Sequence, residues 1–71
     1  MKPQDYEIHI GRLSEDDGGG YLAAVPELPG CMSDGETPQQ ALENVFDAIH
    51  CWIEVTRKRG GAVPPPRWRV A

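Results

Sequence analysis

The chain has 71 residues, a net charge of −4, eight glycines, seven prolines and two cysteines. That length allows one small core and excludes a catalytic cleft between two lobes; no apolar run approaches the roughly 20 residues needed to cross a membrane. Charge is unevenly spread, because residues 1–56 carry eleven acids against Lys2 and Arg12, whereas residues 57–71 hold five bases and no acid. An acidic body repels nucleic-acid phosphate and attracts basic partners.

From the N-terminus, Tyr6, Ile8 and Ile10 alternate with Asp5, Glu7 and His9. Period two predicts a half-buried strand, here running to Leu13. Ser14-Glu15-Asp16-Asp17-Gly18-Gly19-Gly20 is turn chemistry, with glycines suited to positive φ. A second strand, Tyr21 to Val25, completes an antiparallel hairpin over 5–25. Pro26 ends it by removing a ladder donor. Pro29 and Gly30 suit the central positions of a type II turn, and Cys31 to Asp34 read as a short third strand.

Thr37 to Arg59 predicts one long amphipathic helix. Thr37 is the N-cap, Pro38 occupies the first helical position and Gln40 completes a capping box. Leu42, Val45, Phe46, Ile49, Trp52 and Ile53 fall on one face; Glu43, Asp47, His50, Glu54 and Lys58 fall on the other. Gly60 and Gly61 end the helix. Pro64-Pro65-Pro66 suits an extended polyproline spacer, and Trp68 and Val70 alternate with Arg67 and Arg69 as a short last strand. The expected fold is α+β, in the order β-β-β-α-β, as a single domain over 1–71 with its core at about 5–70. The second strand is apolar on both faces, yet one helix covers only one face. A second buried surface then comes from another chain, as a homodimer or higher homo-oligomer, or in a heteromeric complex.

Chemistry-bearing residues are few. Gly18 to Gly20 precede a strand rather than a helix and lack a lysine, so they read as a hairpin turn and not a phosphate loop. His50 and Cys51 are neighbours on a helix, about 100° apart, and do not readily share a metal; no cofactor or metal is expected. A nucleophilic Cys31 with His9 or His50 would need hydrogen-bond contact and an oxyanion hole. Glu7, Glu27, Asp34 and Glu43 or Asp47 would have to converge to hold Mg²⁺ for phosphodiester hydrolysis. Their plainer reading is a solvated acidic surface. Glu43 and Asp47 repel at i,i+4, which suggests that acidity there meets a basic partner. Arg57 to Arg59 read as favourable charges at a helix C-terminus, with a phosphate or partner contact as the alternative. Trp52 belongs to the core or its edge, and Trp68 either packs back or anchors a partner. Without a secretory signal, Cys31 and Cys51 point to a reducing cytoplasm and read as two small apolar side chains, with a disulfide between them still open.

Taken together, Gly20-Tyr21, the turn Pro26-Glu27-Leu28-Pro29-Gly30-Cys31, the step Gly35-Glu36-Thr37 and the helix start Ala41 to Asn44 resemble the HicB-like antitoxin family. The likeness extends over about residues 6–68. It implies a partial RNase-H-like fold with the last strand beside the first. It also implies a protein without enzymatic activity that binds and neutralises HicA, a small basic toxin that cleaves messenger RNA. An acidic body suits such a partner, and Glu27, Asp34, Glu36, Glu43, Asp47 and Trp68 are the residues expected to meet it. Many family members continue into a DNA-binding domain; none is expected within this chain, and direct nucleic-acid binding is not expected either. A stand-alone oligomeric domain with another ligand, or a metal-dependent nuclease using Glu7 and Asp34, are the alternatives.

Overall fold

The computed structural model describes residues 5–65. Three strands, β1 (His9–Arg12), β2 (Tyr21–Ala24) and β3 (Met32–Gly35), form one antiparallel sheet in the order β1-β2-β3. One helix, α1 (Pro38–Lys58), packs on one face of it. The arrangement is α+β, as the sequence pattern predicts. The expected last strand, Arg67 to Val70, lies outside the described residues, as do Pro66 and Trp68.

β1 is shorter than the alternation from Tyr6 suggests. Its ladder runs from His9 opposite Ala24 to Arg12 opposite Tyr21, and β2 has no residue to extend it once Pro26 removes a donor. Tyr6 is nonetheless buried, outside the ladder, and its hydroxyl donates to the Pro64 carbonyl at 2.6 Å. Ile10 shares a face with buried Ala23 but is 40% exposed. The reason is the position of α1, which lies over β3 and β2 and scarcely reaches β1. The connection after β1 is also more ordered than a plain turn: Glu15–Asp17 form a 3-10 turn. Its Gly19 N–H donates back to the Ser14 carbonyl at 2.8 Å, and Leu13 N–H bonds the Gly20 carbonyl at 2.9 Å.

The β2–β3 connection is two consecutive turns. Leu28 N–H donates to Val25 O at 3.1 Å and Cys31 N–H to Leu28 O at 2.9 Å. Pro29 and Gly30 hold the centre of the second turn, with Gly30 at φ +77°, as a type II turn requires. This geometry drives Leu28 fully inside. The strand that follows starts one residue later than expected, because Cys31 is spent in the turn.

α1 begins as its sequence predicts, with Thr37 Oγ1 accepting the Gln40 N–H at 3.1 Å. Gln40 reaches one residue beyond the usual box and accepts the Glu36 N–H at 2.7 Å. The end is a Schellman motif: Gly61 N–H bonds Thr56 O at 2.9 Å and Gly60 N–H bonds Arg57 O at 3.0 Å. Ala41, Val45, Ile49 and Ile53 are the buried row, joined in one core by Tyr6, Ala23, Val25, Leu28 and Cys31. Trp52 sits at the core edge, half-buried, and its indole N–H donates to the Pro29 carbonyl at 3.0 Å. That bond ties the double turn to the helix.

Candidate partner-binding surface

The residues of the sequence signature converge on the β3-to-α1 junction and on the double turn, and their contacts are architectural. A Cβ on Gly35 would lie 2.4 Å from the Ala41 backbone nitrogen, and one on Gly20 would lie 2.7 Å from the Gly35 carbonyl oxygen. Backbone therefore packs on backbone where β2, β3 and the first turn of α1 meet. Asn44 Nδ2 donates to the Asp34 carbonyl at 2.8 Å, locking the helix to the strand. Tyr21 is half-buried, and the Arg12 guanidinium lies 5.7 Å from its ring centroid and donates to its hydroxyl at 3.2 Å. Pro26, Pro29, Gly30 and Cys31 belong to the double turn, while Thr37 and Ala41 start the helix.

Beside this junction is an open polar cleft of about 510 Å³, lined by Gly18 to Gly20, Asp34, Glu36, Gln40 and Asn44. Asp34 and Glu36 are both exposed there. The exposed 3-10 turn Glu15–Asp17 leads directly into the glycines on the other side of the cleft. Glu43 and Asp47 are exposed on the outer face of α1, one and two turns further along. Acidity is thus continuous from the loop through the junction onto the helix. Glu27 does not share in it: only 7% exposed, it lies within the double turn, and its carboxylate is among the charges that push the Tyr6 hydroxyl up. Trp68 lies outside the described residues.

The sequence reading missed the contribution of Glu15 to Asp17. Their acidity is plain in the sequence, but only the folded hairpin sets them beside a cleft that residues 34–44 complete. The Asn44 bond to Asp34 was equally hidden, since ten residues separate the two.

Burial pushes the Cys31 thiol up, away from the reactive thiolate, and both Cys31 and Cys51 are free thiols. His9 pairs with Glu7, and His50 with Glu54 at 3.5 Å on the outer face of the helix. Among the described residues, no group of three or more His, Cys, Asp or Glu side chains comes together to hold a metal ion. Glu7, Glu27, Asp34 and the helix carboxylates do not form such a group. No helix among the described residues is long and apolar enough to cross a membrane.

The chain is similar to known proteins over most of its length. A family described as the HicB-like antitoxin of bacterial toxin–antitoxin systems matches residues 6–68. A UPF0150 protein of Thermoplasma acidophilum is 38% identical over 52 residues, which are 73% of this chain and 75% of the relative. A UPF0150 protein of Synechocystis is 43% identical over 54 residues, 76% of this chain and 68% of the relative. The antitoxin HicB 1 of Photorhabdus laumondii is 27% identical over 66 residues, 93% of this chain but 41% of that longer protein.

Proposed function

The chain belongs to the HicB-like antitoxin family, and from that premise we propose that it neutralises a small basic toxin of the HicA type, in the cytoplasm, by binding it through the acidic surface around the β3-to-α1 junction. The family assignment supports an antitoxin role and points away from catalysis. The observation that carries the surface is the continuity of exposed acids from Glu15–Asp17 through Asp34 and Glu36 to Glu43 and Asp47. A basic protein that binds RNA carries cations spaced for phosphates, and such an acidic face offers those cations carboxylates instead. Binding there would both hold the toxin and cover its RNA-binding surface.

The experiment is a search beside the gene for a small basic open reading frame, then co-expression of its product with this chain and calorimetry on the purified pair. The expected outcome is rescue of growth and a one-to-one association that weakens as salt rises. No association at about 10 µM, together with no rescue, would reject the reading.

A further inference from the structure

The apolar arc of α1 is wider than the sheet beneath it. Ala41, Val45, Ile49 and Ile53 face the sheet, and Leu42 and Phe46 flank them on one side. On the other side Ala48, Cys51, Trp52 and Val55 lie beside the edge of β3 that no strand among the described residues pairs with. With Met32 they line an open groove of about 330 Å³ whose lining residues carry no charge. Val55, on the helix side of the groove, is 42% exposed, and Met32 contributes its backbone edge, since the register puts its side chain on the sheet face away from α1. A basic toxin finds no carboxylate here, and the acidic cleft is at the opposite end of β3.

We propose that a second copy of this chain fills the groove, β3 pairing antiparallel with its own copy across a two-fold axis while the two α1 helices lie side by side, also antiparallel. Backbone direction supplies the first argument. Val25 N–H donates to the Cys31 carbonyl, so the alternation of an antiparallel ladder turns Ser33 and Gly35 toward β2 and Met32 and Asp34 outward. Asn44 takes the outward Asp34 carbonyl. Met32 then carries the open N–H and C=O of this edge, and two copies of Met32 satisfy one another across the axis. An exposed edge of this kind is a template for strand addition.

Helix placement supplies the second. α1 runs antiparallel to β3, since Asn44 meets Asp34 while Cys51 and Val55 share the groove with Met32 and Gly30. An axis through Met32 therefore passes close to Cys51. Strands about 4.8 Å apart, with α1 lying over β3 and β2, bring the two helix axes to roughly the 8–10 Å of ordinary helix packing. Ala48, Cys51 and Val55 then form the seam.

Charge supplies the third. Each helix carries Glu43 and Asp47 in its first half and, after Glu54, which pairs with His50, ends in the bases Arg57, Lys58 and Arg59. Antiparallel helices set the acidic half of one copy beside the basic end of the other, and their dipoles oppose favourably. A parallel pair would place like charges together.

This inference goes beyond the toxin-binding reading and is tested without a toxin. Sedimentation of the purified chain should show a dimer. Val55→Glu, at a site that the monomer leaves exposed, should weaken dimerisation at least about tenfold while the far-UV circular dichroism keeps its helical signal. Leu22→Glu, on the uncovered face of the sheet, should leave the dimer in place. A short bismaleimide should cross-link wild-type dimers through Cys51, and Cys51→Ser should abolish the cross-link. A chain still monomeric at about 0.5 mM, a dimer lost with Leu22→Glu but kept with Val55→Glu, or a dimer that Cys51 fails to cross-link would overturn the proposal.

Discussion

Gly35 shows how one residue can govern a fold this small. Its Cα leaves room for the Ala41 backbone but for nothing larger, since an added Cβ would meet backbone rather than a yielding side chain. Gly35→Ala should therefore lower stability by about 2 kcal/mol or more, read as a reduced urea midpoint. Gly18→Ala makes a useful contrast, because space is open there and only its positive φ opposes a side chain, at about 1 kcal/mol. Two buried acids act at the same scale. Burial first, then the Glu27 charge, pushes the Tyr6 hydroxyl up against a smaller opposing pull from Arg57; burial alone pushes up the Cys31 thiol. For an acid whose pKa is higher folded than unfolded, the stabilisation is complete below the unfolded value and lost as pH rises through the folded one. Thermal stability should thus fall as pH rises above the ordinary thiol and phenol values, and Tyr6→Phe combined with Cys31→Ala should flatten that decline. A decline equally steep in the double variant would assign it to other groups.

At the scale of elements, α1 holds the molecule together, and both of its ends are fixed by bonds whose loss can be measured. Thr37→Ala removes the acceptor for the Gln40 N–H and should cost about 1 kcal/mol in denaturant titration. Thr37→Ser, which keeps the oxygen, should cost far less. The double turn behaves as a second element, with Leu28 as its plug and the Trp52 indole bond as its clasp. Leu28→Ala should cost about 2–5 kcal/mol, in the range of buried leucine truncations. The helix was legible in the sequence because its signals are local: cap, proline, apolar period and terminal glycines all lie within one segment. The first strand was less so. Tyr6, Ile8 and Ile10 alternate correctly, yet a strand ends where its neighbour ends, and β2 is cut short by Pro26.

For the whole molecule, the acidic cleft and the uncharged groove lie toward opposite ends of β3, so the two proposed contacts can be tested separately. Reversing Glu43 and Asp47 together to lysine should weaken toxin binding at least about tenfold, with a shallower dependence on salt, because exposed charge pairs act mainly through steering and long-range attraction. Glu27→Gln should instead change stability more than affinity, since Glu27 is enclosed by the double turn. Comparing the two by calorimetry and urea titration separates a binding acid from a structural one, a distinction invisible in a list of carboxylates. Asp34, Glu36, Glu43 and Asp47 are exposed, as acids usually are, whereas the burial of Glu27 depends on the turn that encloses it and is not legible from its charge.

The class of fold, the order β-β-β-α, the limits of the helix and the family are all legible in the sequence, because each depends on local chemistry or on residues contiguous in the chain. Which carboxylates remain at the surface, that Ile10 stays half in water, and that an acidic loop at 15–17 borders a junction at 34–44 were decided only by the tertiary structure. The hairpin places the loop and the double turn buries Glu27, while the exposure of Ile10 follows from where the helix sits. A helix with a broad apolar arc can rest over any pair of strands, and it is the fit of Ala41 against Gly35, with Asn44 bonded to Asp34, that settles α1 over β3.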